Sequence, residues 1–182
     1  MNFTRRDWIA GTLGSTVWTA IAAAHEHARQ SVEQPAGTKF AFFDNATAAD
    51  AAAIASQILP SDDGPGADEA GVVFFIDRAL VTFDSDKQEM YRKGLVEFNE
   101  RRAKMFPGST SIAGLSDEQQ IELLHAVEKS EFFEVIRVHT LLGFLGNPSY
   151  GGNRKSAGWK YIGFEDRMVW TPPFGYYDAE GK

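Results

Sequence analysis

Apolar residues along this chain recur at helical spacing, and no strand-like alternation persists anywhere in it. Asp44 to Leu59 predicts a first helix: alanines fill it, Ile54, Ile58 and Leu59 share a face, Asn45 or Thr47 can cap it, and Pro60 ends it. A second is predicted over Asp68 to Phe83. There Val72, Phe75, Ile76, Ala79, Leu80 and Phe83 form a core stripe, and Asp68 and Glu69 lie near the positive end. Asp86 to Met105 reads as a longer, more polar helix with Tyr91, Leu95 and Phe98 inward. Its Arg101, Arg102 and Lys104 suit the C-terminal end of the dipole better than a phosphate site. Ser116-Asp-Glu-Gln119 is a capping box that opens a helix to about Lys129, carrying Ile121, Leu124 and Val127. Glu131 to Leu145 is apolar nearly all round, which predicts a central or doubly covered helix with Gly146 as its left-handed stop. The fold class expected is all-α: a small domain of four to five helices followed by a long irregular extension rich in aromatics and glycine.

That extension begins with Asn147 to Phe164, where Gly151, Gly152, Gly158 and Gly163 are interleaved with Tyr150, Trp159, Tyr161 and Phe164. Glycine loses more freedom on ordering than any other residue, so such a loop holds one shape only if its rings are buried. They can bury on this chain, with Trp159 and Phe164 capping the helices, or on a partner. Aromatics in ordered loops are typical interface anchors, which favours a docking surface. Trp170, Pro172-Pro173, Phe174, Tyr176 and Tyr177 extend the aromatic character to the end.

The first 24 residues have another character. Arg5 and Arg6 precede an apolar run from Trp8 to Ala24 that contains Gly11 and Gly14, has no charge after Asp7, and ends in Ala22-Ala23-Ala24. This is the pattern of a twin-arginine export signal with an Ala-x-Ala cleavage site, and it predicts a periplasmic protein. Residues 25–39 read as a flexible leader and 40–182 as a single helical domain with a C-terminal docking extension. Cleavage after Ala24 would make His25 the N-terminus, where its amine and ring could chelate copper with His27, His125 or His139. A chance histidine in a mobile leader is the plainer reading.

Composition narrows the chemistry further. The 182 residues carry a net charge of -7 without a long basic run, which argues against a nucleic-acid partner. There are no cysteines, so disulfides, thiolate metal sites and a thioether-linked haem are excluded from this chain. Asp62 and Asp63 lack the remaining ligands of a calcium loop and read as turn residues. His139 reads as a satisfied core histidine with no carboxylate at helical spacing. Gly151-Gly152 is expected to lack the following helix of a phosphate loop, and no nucleophile elbow or metal cluster appears. No catalytic, cofactor-binding or metal-binding residue is therefore assigned.

Two blocks carry a resemblance. Pro60, Pro65-Gly66-Ala67 and Ala70-Gly71-Val72 with Phe75-Ile76-Asp77, then Tyr150-Gly151-Gly152-Asn153 with Gly158-Trp159-Lys160 and Gly163-Phe164, resemble the gluconate 2-dehydrogenase subunit 3 family over roughly Phe40 to Pro173. These are small gamma subunits of membrane-associated, flavin-dependent sugar and sugar-acid dehydrogenases. The resemblance implies a non-catalytic subunit at the outer face of the inner membrane, escorting a large FAD-binding partner through the twin-arginine route, commonly with a cytochrome c subunit that carries haem. It transfers no catalytic residues. Pro60, Pro65, Gly66, Ala67, Gly71, Tyr150, Gly151, Gly152, Asn153, Gly158, Trp159 and Gly163 become candidate interface positions. The alternative is a stand-alone exported protein that binds carbohydrate on an aromatic platform of Trp159, Tyr161, Trp170 and Tyr176, or binds copper.

Overall fold

The computed structural model describes residues 39–167 and 169. The expected export signal with Arg5 and Arg6, the expected leader with His25 and His27, and the tail from Trp170 onward lie outside the described residues. Within them the fold is all-α, with six helices and no strand: α1 (Asn45–Ile58), α2 (Val72–Leu80), α3 (Gln88–Met105), α4 (Asp117–Val127), α5 (Glu131–Leu145) and a short α6 (Ala157–Tyr161). Three 3-10 turns, Ser85–Lys87, Pro148–Tyr150 and Arg154–Ser156, complete it.

Local chemistry sets most helix boundaries. The α1 cap is Asp44, whose carboxylate accepts from the Thr47 amide, so the expected Asn45 and Thr47 lie inside the helix. The Ser116–Gln119 capping box forms as read, with both reciprocal bonds present. α2 starts four residues later than the sequence suggests, because Gly71 adopts a left-handed conformation (φ 66°) and turns the chain into the helix. Gly146 differs from expectation as well: it ends α5 in an extended conformation, its amide on the Leu142 carbonyl, with no left-handed stop.

The central helix is α2, not α5. Seven of the nine α2 residues are buried, and α2 packs against α1, α5 and the Ser85–Lys87 and Pro148–Tyr150 turns. One face of α5 enters the core through Phe132, Ile136, His139, Thr140, Gly143 and Phe144. Its opposite face, Val138, Leu141, Leu142 and Leu145, is exposed among the described residues, so the predicted double cover is absent there.

Buried polar groups tie these helices together. Asp77 of α2 receives the backbone amides of Ala41, Phe42 and Phe43 at 2.8, 2.9 and 3.0 Å, pinning the incoming chain to the central helix. Asp50 of α1 accepts from Asn99 of α3 and from the Ala113 amide. Arg102 bonds Asn99 and Ser109, so this member of the expected dipole cluster is a buried brace.

Candidate functional site: the junction of the two glycine blocks

The two sequence blocks lie some eighty positions apart, yet the fold presses them together. In the first, the chain from Leu59 to Val72 closes on itself. The Ala67 amide donates to the Leu59 carbonyl (2.9 Å), the Val72 amide to the Ala67 carbonyl (2.9 Å), and the Glu69 carboxylate collects the Gly66 amide and the Ser61 hydroxyl. A Cβ at Gly66 would lie 2.7 Å from the Leu59 carbonyl oxygen, so a side chain there would prevent closure. Asp62 and Asp63 are exposed in this turn, as expected of turn residues.

The second block is laid onto α2 and α5 by close backbone contact. Gly152 faces the Gly143 carbonyl and Gly158 the Phe144 carbonyl; a Cβ would approach those oxygens to 2.2 and 2.1 Å. Between them Asn153, fully buried and left-handed at φ 46°, works in three directions. Its amide donates to the Gly143 carbonyl (2.7 Å), its Nδ2 to the Gly146 carbonyl (2.8 Å), and its Oδ1 accepts the Gly158 amide (2.9 Å). One side chain thus ties the end of α5 to the start of α6. Trp159 adds a further tie, its indole Nε1–H donating to the Leu145 carbonyl (2.6 Å), with the Phe164 ring edge-on at 5.1 Å.

Arg154 joins the blocks. Its amide donates to the Ala70 carbonyl (3.0 Å), and its guanidinium lies across Gly71 and over the Phe74 ring at 3.9 Å. A Cβ on Gly71 would meet Arg154 Nε at 2.4 Å, so this glycine is required both for its left-handed turn and for the close approach. Burial lowers the Arg154 pKa, an effect that Asp68 opposes. Asn153, Lys155 and Ser156 are all left-handed without being glycine. Each such residue costs on the order of 1–2 kcal/mol, which the surrounding bonds must offset.

The candidate positions therefore separate by orientation. Gly66, Ala67, Gly71, Gly151, Gly152, Asn153 and Gly158 are buried within this chain; Pro65 and Trp159 are half-buried; Pro60, Tyr150 and Gly163 face outward. Outward with them are Phe83, in edge contact with Tyr150 at 6.1 Å, and Tyr161 and Ile162, each 58% exposed. The sequence reading expected no helix after Gly151-Gly152. Five-residue α6 does follow, after a 3-10 turn, and it carries Trp159 and Tyr161.

The titratable groups of the core form a second cluster that periodicity could not reveal. His139 Nδ1 accepts from the Tyr91 hydroxyl (2.8 Å) while Nε2 faces Asp84 (3.3 Å). The carboxylate partner thus exists, supplied by the α2–α3 connection rather than by helical spacing. Burial lowers the His139 pKa against the opposing pull of Asp84. Burial, reinforced by Asp84, raises that of Tyr91 well above the usual phenol range. The Tyr91 side chain is fully enclosed, so the row holds helices together and offers no oxygen to a substrate. His125 is exposed on α4 beside Glu128 (3.2 Å). No group of three or more potential metal ligands occurs among the described residues, and no helix there is long and apolar enough to cross a membrane. A cleft of about 620 Å³ lies between the Phe42–Thr47 segment and α3, and no residue of the glycine junction lines it.

Neither curated proteins nor solved structures gave a match to this chain. The model of one family, described as gluconate 2-dehydrogenase subunit 3, matches residues 45–166. That span holds all six helices and both glycine blocks, and the chain belongs to the gluconate 2-dehydrogenase subunit 3 family.

Proposed function

We propose that this chain is the non-catalytic small subunit of a periplasmic, membrane-associated, FAD-dependent dehydrogenase that oxidises a sugar, sugar acid or alcohol. In this reading it supports folding and assembly of the large flavoprotein subunit and carries it through the twin-arginine route on the signal containing Arg5 and Arg6. FAD belongs to the large subunit, and haem to a cytochrome c subunit where one is present. The family description, a numbered subunit of a dehydrogenase, supports the coarse role. The observation that carries the finer one is the division of labour at the junction. Glycines and Asn153 are used up in fixing the loop to α2 and α5, while Tyr150, Tyr161 and Ile162 are held outward on a braced scaffold. Exposed rings on a rigid support lose little entropy on docking, as interface anchors require.

The test is co-expression of the large subunit with the native chain, with an Arg5→Lys/Arg6→Lys variant, and without the chain. Loss of periplasmic FAD-dependent activity in the second and third cultures is the expected result. Full exported activity without the chain would end this reading. Copper bound by the purified mature chain, or a sugar-dependent change in its tryptophan fluorescence, would favour the stand-alone alternative.

A further inference from the structure

The outer face of α5 is an apolar stripe with no cover among the described residues. Val138, Leu141, Leu142 and Leu145 follow i, i+3, i+4 and i+7 on the side opposite Ile136, His139, Thr140 and Gly143, and they are 38–47% exposed. Solvent-facing helix surface is normally polar, and here the change is abrupt. One turn earlier the same face bears Glu134, paired with Arg137. A stripe of this kind needs an occupant.

We propose that the occupant is the chain's own C-terminal segment, Trp170 to Tyr177. The path leads there. The Trp159 indole bonds the Leu145 carbonyl at the C-terminal end of the stripe, Phe164 lies against Trp159, and the Phe164 amide is held by the Trp159 carbonyl (2.8 Å). The segment therefore starts a few residues from the stripe. Val138 to Leu145 spans about 10 Å of helix, which about three or four extended residues cover. The composition also fits. Residues 168 to 177 carry no charge and include Trp170, Pro172, Pro173, Phe174, Tyr176 and Tyr177; charge returns only at Asp178. Paired prolines restrict backbone freedom and favour extended conformations in general, which lowers the cost of ordering such a segment. A tethered segment this close has an effective concentration on the order of millimolar, which favours it over a second copy or a dilute partner.

The absence of cysteine makes the test direct. Leu142→Cys with Phe174→Cys in the full chain should form a disulfide within one molecule under mild oxidation. The rate expected is at least tenfold above that of an Ile121→Cys/Phe174→Cys control, whose first site is an exposed position on α4. Equal rates, or a disulfide found only between two molecules, would overturn the proposal, the second result assigning the stripe to another copy. A second readout needs no new side chain. In a chain ending at Val169, amide exchange over Val138–Leu145 should quicken at least fivefold, and unchanged exchange would also overturn it.

Discussion

Replacing Asn153 separates two effects that the junction combines: a left-handed backbone and two side-chain bonds to buried main chain. Asn153→Gly keeps φ 46° accessible but leaves the Gly146 carbonyl and the Gly158 amide without their partner. Each bond contributes about 1 kcal/mol, and stranding a buried group costs more, so about 2–4 kcal/mol of stability should be lost. Asn153→Ala removes the same bonds and, unlike glycine, keeps a Cβ in the left-handed region, where alanine lacks asparagine's tolerance, for about 1 kcal/mol further. Asn153→Asp keeps an acceptor for the Gly158 amide but turns an oxygen toward the Gly146 carbonyl, so it should be no better than glycine. Urea unfolding of the three variants, read by circular dichroism, gives the order native, glycine, alanine. On a domain of this size, melting should fall by roughly 5–15 °C across the glycine and alanine variants. Alanine more stable than glycine, or both within about 0.5 kcal/mol of native, would refute the clamp.

Three other perturbations test separate parts of the account. Gly158→Ala should cost about 2–3 kcal/mol by overpacking against the Phe144 carbonyl, whereas Gly114→Ala, beside only Ser111, should change little; parallel thermal melts check both. Asp77→Asn removes one of the two acceptor oxygens serving three amides and should cost on the order of 2–3 kcal/mol, with faster exchange at Ala41, Phe42 and Phe43. His139 is neutral in its hydrogen-bonded row, and burial holds its folded pKa below the unfolded value. The unfolded chain therefore takes up the proton first as pH falls, so stability is full above the unfolded value of about 6.5 and declines below it until the folded pKa is passed. His139→Gln should flatten that part of the stability–pH curve, and an unchanged slope would place its origin elsewhere.

The helices were legible because their determinants are local. The Ser116 capping box, the inward Tyr91, Leu95 and Phe98, and the α2 stripe from Val72 to Leu80 are readable from spacing, and the structure agrees; the stripe's last member, Phe83, lies beyond the end of α2 and faces outward. What spacing cannot show is who sits opposite. Asp77, in the sequence only one residue of the first block, receives an incoming chain more than thirty positions away. The carboxylate beside His139 comes from another element, and Gly94 matters because the Phe132 ring lies where its Cβ would be. The α5 reading failed for a related reason: apolar residues all round a helix do not reveal which face the described fold covers. At the glycine junction the sequence left open what its residues approach. The structure answers for Gly66, Gly151, Gly152, Gly158 and Asn153, which approach this chain's own carbonyls, and for Gly71, which approaches the Arg154 side chain.

The central claim is that the braced junction presents its outward rings to a large flavoprotein subunit, and a binding measurement on surface variants reaches it most directly. Tyr150→Ser and Tyr161→Ser/Ile162→Ser alter residues that are about half or more exposed, so their melting should stay within about 2–3 °C of native. Against the large FAD-binding subunit, the double variant should bind at least about thirtyfold more weakly, the loss of an anchor worth about 2 kcal/mol. Native affinity in both variants, with the fold intact, would contradict the claim.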